Sequence, residues 1–118
     1  MSPLTVRNRS RDATLGTRVG LADGYWSRLR GLLGRKGLDE GEGLLIAPSR
    51  GVHMFGMRFP LDVLLLDPEG HVRELYPDLP PGKTTGMHKG VRYALELPVG
   101  VIEASGTQAG DELEWTRH

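Results

Sequence analysis

Hydrophobic positions along this chain recur mostly every second residue, in short runs divided by Gly, Pro, Asn and Asp. SPLTVRNRS and ATLGTRVGLA read as two strands with a turn over 8–12, and Leu15, Thr17 and Val19 share one face of the second. The period then lengthens. In GYWSRLRGLLGR, Trp26, Leu29 and Leu33 fall at i, i+3 and i+7 while Arg28 and Arg35 lie mainly on the other side, which predicts an amphipathic helix. Asp23 stands at its N-cap, Gly34 or Gly37 can end it, and Gly31 weakens its interior.

Beyond the helix the short period returns. LLIAP (Leu44–Pro48) is a short buried strand, and LDVLLLD is apolar on both faces, as a central strand must be. DPEG is a turn, and in HVRELYP the set Val72, Glu74, Tyr76 alternates with His71, Arg73, Leu75, so the pair predicts a hairpin. DLPPGKTTGMHKG is a surface loop and VRYALELP a further strand. VGVIEASG makes a helical turn or two ended by Gly106, and DELEW closes the chain as a strand. Six to eight short strands with one or two short helices predict a mainly β (α+β) fold, a compact antiparallel β-sandwich or open barrel. At 118 residues a single domain over 1–118 is expected.

Composition removes several chemistries. The chain has no cysteine, which excludes disulfides, cysteine-ligated metals and thiol catalysis. Four arginines fall in the first twenty residues without an apolar run, so no signal peptide is visible, and VLLL at 63–66 is too short to cross a membrane. A cytoplasmic protein without membrane contact is expected. Net charge is zero but lopsided: residues 1–36 carry eight basic against two acidic side chains, and the remainder seven against thirteen. The split marks either an anion-binding face or two parts that neutralise each other on packing.

The densest chemistry is GVHMFGMRFPLD, residues 51–62. As one regular strand it would align His53, Phe55, Met57 and Phe59, with His53 a core histidine; Gly56 as a bulge would change that phase. Pro60 ends ladder donation and holds Phe59 extended. Asp62 opens an apolar strand, so its carboxylate needs a partner, with Arg58 and His53 nearest and Arg28, Arg30 or Arg92 able to arrive from elsewhere. His53, Met54, Met57, Met87 and His88 are ligand types that copper(I) favours, but their spacing matches no standard site, and neither metal nor cofactor is expected. The chain contains no G-x-S-x-G elbow, P-loop or G-x-G-x-x-G.

RLRGLLGR (28–35), VHMFGMRFPLDVLLLD (52–67) and ALELPVG followed by GDELE resemble, in order and over nearly the whole chain, the bacterial and archaeal domain-of-unknown-function family number 192. One branch of that family reads I/V-H-T-F-G-M-R-F/Y-P-I-D where this chain has residues 52–62, so Met54 replaces a usual threonine. Pro48 stands near a cysteine of some relatives, and Met87 and His88 lie outside the pattern. The resemblance implies a mainly β, sandwich-like domain and no particular reaction.

Three functions follow as expectations. The first is a non-catalytic binding or accessory module, taking a small anion or a protein partner on the surface of His53, Met57, Arg58, Asp62, Arg28 and Arg30. The second is a hydrolase or isomerase with His53 as general base oriented by Asp62 and Arg58 stabilising an anion. The third, less favoured, is nucleic-acid binding through the basic N-terminal third.

Overall fold

The computed structural model describes residues 3–117, and every side chain among them except that of Leu29. Its strands are β1 (Leu4–Asn8), β2 (Ala13–Ala22), β3 (Glu42–Ile46), β4 (Leu61–Leu66), β5 (Val72–Leu79), β6 (Tyr93–Leu97) and β7 (Leu113–Arg117). Helix α1 (Tyr25–Arg30) follows β2, and α2 (Val101–Ser105) follows β6. The strands form one sheet in the order β5-β4-β6-β3-β2-β1-β7. The mainly β expectation holds, and of its two architectures the open barrel forms: the sheet curls into a half-barrel. Its ends approach each other, where Val72 N–H donates to Asp111 O (2.8 Å) and Leu113 N–H to Gly70 O (2.9 Å). All neighbours pair antiparallel except β2 and β3, which run parallel because the chain crosses over through α1.

Curling gives the sheet two apolar layers. Leu4, Val6, Leu15, Val19, Leu45, Leu64, Leu66, Val72, Leu95, Leu97 and Leu113 form one cluster with Ile102 of α2. All seven strands contribute, so this layer fills the inside of the curl and α2 plugs it. The second layer lies on the other face, where Leu61, Val63, Leu65 and Ala94 pack with Ile46, Met54, Leu32 and Val91. Every residue of β4 is buried because both layers meet on it, as its uninterrupted apolar run predicts.

Three strand and helix expectations are corrected. On β2, Leu15 and Val19 are buried but Thr17 is exposed, because the register slips between Leu4↔Val19 and Val6↔Gly16; the bulge turns Thr17 outward. On β5 a slip between Leu65↔Glu74 and Leu66↔Val72 breaks the alternation, so Val72 and Leu75 join the inner layer and Tyr76 the outer one. Helix α1 is capped by Gly24 rather than Asp23: Ser27 Oγ donates to Gly24 O (3.0 Å) and accepts from Gly24 N–H (3.1 Å). It ends at Arg30 because Gly31 adopts φ 51°. One and a half turns cannot present a stripe, so Leu32, beyond the helix, reaches the core while Trp26 is 76% exposed. The Leu29 side chain lies outside the described residues.

Residues 48–60 form no regular strand but lie against the loop 82–88. Met54 N–H donates to Lys83 O (2.7 Å), Thr85 N–H to Val52 O (3.0 Å) and His88 N–H to Arg50 O (3.0 Å). The two segments run so close that a Cβ on Gly51 would enter the envelope of the Gly86 carbonyl oxygen. Gly51→Ala is therefore expected to destabilise the protein by on the order of 2 kcal/mol, read from the urea midpoint. An unchanged midpoint would show that the two loops can separate freely.

Candidate functional site

The segment 51–62 divides between the two layers. Val52, Met54, Met57 and Phe59 cover the outer one, together with Leu32 and Leu38 from the stretch after α1. These two stretches form a joint roof: a Cβ on Gly56 would lie 3.3 Å from Leu33 Cδ2. Gly56 sits at φ 79° in a tight turn in which Met57 N–H donates to Met54 O (3.2 Å), so it serves as a turn glycine rather than a strand bulge.

His53 is not a core histidine. It is exposed, paired through an isolated bridge to Thr84, and stacked on Phe55 with ring centroids 5.1 Å apart. Phe55 is 59% exposed, and on α1 Tyr25 and Trp26 form an exposed edge-on pair with centroids 5.1 Å apart. The Arg30 and Arg58 side chains are exposed and make no hydrogen bond or ion pair among the described residues, while the Arg28 guanidinium donates to the Asp23 carbonyl (2.9 Å).

Asp62 belongs elsewhere. Alternation along β4 puts it with Leu64 and Leu66 on the inner face, opposite to the roof. Its carboxylate is buried and accepts from three backbone N–H groups: Asp78 on Oδ1 (2.9 Å), and Gly100 (3.1 Å) and Ile102 (2.9 Å) on Oδ2. The carboxylate ties β5 and the start of α2 to β4. No hydrogen bond or ion pair joins it to His53 or Arg58 among the described residues, so the expected acid–base pair is not formed.

Sequence reasoning passed over Glu96. This residue of β6 is buried beside Leu44 and Val63 and alternates onto the outer face with Ala94, in the layer that the roof covers. Its Oε1 is enclosed without a hydrogen-bond partner. Burial pushes its carboxyl up to about 7. The signal was present: a glutamate inside ALELP, a strand otherwise apolar on both faces.

Four of the eight cations in the basic N-terminal third are paired by packing. Arg9 pairs with Glu112 and Glu114, Arg35 with Glu42, Arg7 with Asp12, and Arg11 with Asp111 at 3.0 Å. Desolvation opposes the charged Asp111, but hydrogen bonds from Arg11, Asn8 and the Gln108 N–H outweigh it and hold the carboxyl down at about 2. Of the other cations in this third, Arg28 and Arg30 lie on α1, and Arg18 on β2 donates to the Glu40 carbonyl (2.7 Å).

The family described as "Uncharacterized ACR", domain-of-unknown-function family 192, matches residues 6–115. The chain belongs to this family. A UPF0127 protein of Thermococcus sibiricus is 31% identical over 113 residues, covering 92% of this chain and 72% of the relative. A UPF0127 protein of Pyrococcus furiosus is 33% identical over 102 residues, covering 84% and 87%. The fold matches that of a solved Novosphingobium aromaticivorans protein of unknown function with a TM-score of 0.80 at 23% identity, covering 96% of this chain and 84% of the other. The match to family 192 thus includes the roof, the Asp62 tie and the buried Glu96 together, and its description assigns no reaction. None of the described helices is long and apolar enough to cross a membrane.

Proposed function

We propose that this member of family 192 is a non-catalytic binding module whose roof accepts an acidic protein segment carrying aromatic or aliphatic side chains. One observation carries the reading: Tyr25, Trp26 and Phe55 stand 66%, 76% and 59% exposed on stretches that also carry the unpaired Arg30 and Arg58. Large aromatics left in water on a folded surface mark interaction sites, and Trp, Tyr and Arg dominate binding energy at protein interfaces. The free guanidinium groups select the sign of the partner, because no carboxylate among the described residues pairs with them. Binding fits this arrangement better than turnover, since Asp62 faces away and Glu96 is sealed beneath the roof at 5% exposure.

Selection against a display library of random peptides tests the reading. Enriched sequences are expected to combine Asp or Glu with aromatic or aliphatic residues. Trp26→Ser with Phe55→Ser should weaken them by roughly a hundredfold while leaving the melting temperature nearly unchanged, as both residues are exposed. Arg30→Gln with Arg58→Gln should weaken them less and flatten the salt dependence. Peptides that bind the Trp26/Phe55 double variant as well as the parent would place the site elsewhere, and failure to enrich any acidic peptide would refute the proposal.

A further inference from the structure

A second group of cations lies apart from the roof, where the end of β3, the turn after β4 and the start of β6 come together. Here Ser49, Arg50, Pro68, Lys89, Gly90 and Arg92 line an open pocket of about 460 Å³. The backbone fixes its walls. Ser49 N–H donates to Arg92 O (2.8 Å), Arg92 N–H to Leu66 O (2.8 Å) and His88 N–H to Arg50 O (3.0 Å). Lys89 and Gly90 form a tight turn closed by Val91 N–H to His88 O (3.4 Å), with Gly90 at φ 80°.

Three positive side chains therefore converge on one concavity from two loops and a strand approach. None of Arg50, Lys89 and Arg92 makes an ion pair or side-chain hydrogen bond among the described residues. The adjacent hairpin forms no ion pair with them: Asp67 accepts from the N–H groups of Glu69 (3.0 Å) and His71 (2.9 Å) and faces His71 and Arg73, and Glu69 pairs with none of the three cations among the described residues. The N–H groups of Lys89 and Gly90 are likewise unengaged among the described residues. Like charges held together without compensation repel, so an anion entering the pocket relieves that repulsion as well as forming charge-assisted hydrogen bonds. The pocket lined by Ala13, Leu15, Gly16, Val101 and Ala104 is of similar size but contains no such cluster.

We infer that this pocket binds a small tetrahedral oxyanion, the phosphate group of a phosphomonoester or free phosphate. Two arginines and a lysine match the charge and acceptor number of such a group, and the Ser49 hydroxyl, now donating to Gly51 O (2.8 Å), can turn to donate to it. The volume admits a phosphate with a small organic substituent rather than a polymer, and the cations converge on a cavity instead of forming a stripe. The site is independent of the partner-binding roof.

Titration calorimetry at constant ionic strength, with inorganic phosphate, glycerol phosphate and a short oligothymidylate as probes, tests it. Saturable binding of one or both small phosphates is expected, and the stronger of the two identifies the source of the group. Arg50→Gln and Arg92→Gln should each weaken it by about tenfold, and the double variant should abolish it. Arg30→Gln, on α1, should leave it unchanged. The three positions are exposed, so melting temperatures without phosphate should match the parent. Absence of saturable phosphate binding, undiminished binding in the double variant, or binding of the oligonucleotide alone would overturn the inference.

Discussion

Asp62→Ala is expected to cost about 4 kcal/mol in urea denaturation. The alanine would leave the N–H groups of Asp78, Gly100 and Ile102 without acceptors in a site closed to water. Asp62→Asn keeps the shape but turns an amide NH₂ toward one of those donors, and should cost roughly 1.5–3 kcal/mol. The damage should be local first: amide exchange at Ile102 should accelerate more than in β4 itself, because the carboxylate is what holds the start of α2. His53→Gln and Arg58→Gln should each change stability by less than about 0.5 kcal/mol, since both side chains are exposed. If Asp62→Asn proves neutral, or His53→Gln equally costly, the account of Asp62 as a tie between β4, β5 and α2 is wrong.

Stability should fall as pH rises through the near-neutral range, and Glu96 should be the cause. Burial raises its carboxyl from the ordinary 4.5 to about 7, so between these values the folded protein holds a proton that the unfolded chain has lost. The folded state binds more protons, so unfolding becomes easier as pH increases, and stability present below 4.5 is lost by about 7. The shift corresponds to about 3 kcal/mol. Asp111 works in the opposite direction: its carboxyl is held down at about 2, so its contribution is present above 3.8 and disappears as pH falls toward 2. Glu96→Gln removes the first effect and keeps the second. The stability difference between Glu96→Gln and the parent should therefore shift by about 3 kcal/mol in favour of the variant across that window, whatever constant offset the buried amide adds. Parallel pH profiles for the two proteins would show that Glu96 finds a counter-charge or solvent in the folded state.

Periodicity by itself determined the strands, because alternation, turn residues and the doubly apolar LDVLLLD report local conformation and burial directly. It also announced α2, with Gly106 ending it at φ 69°. The motif order carried the family, which the match over 6–115 establishes. Local pattern misjudged α1, where three residues at helical spacing suggested a buried stripe but a glycine at Gly31 stopped the helix before it could lay one down. What only the tertiary structure decided is which side chains meet. His53 and Asp62 are nine positions apart in the chain, yet the sheet separates them, because the loop covers the outer face and strand alternation turns Asp62 inward. Asp62 finds its donors 16, 38 and 40 residues away, at backbone groups that no side-chain motif could signal. Arg50, Lys89 and Arg92 look dispersed in sequence and converge only because β3, β4 and β6 bring their loops to one end of the sheet. Local preference is written residue by residue, whereas the partners of a charge depend on strand order and on which face each strand shows, and those follow from burying both apolar layers at once.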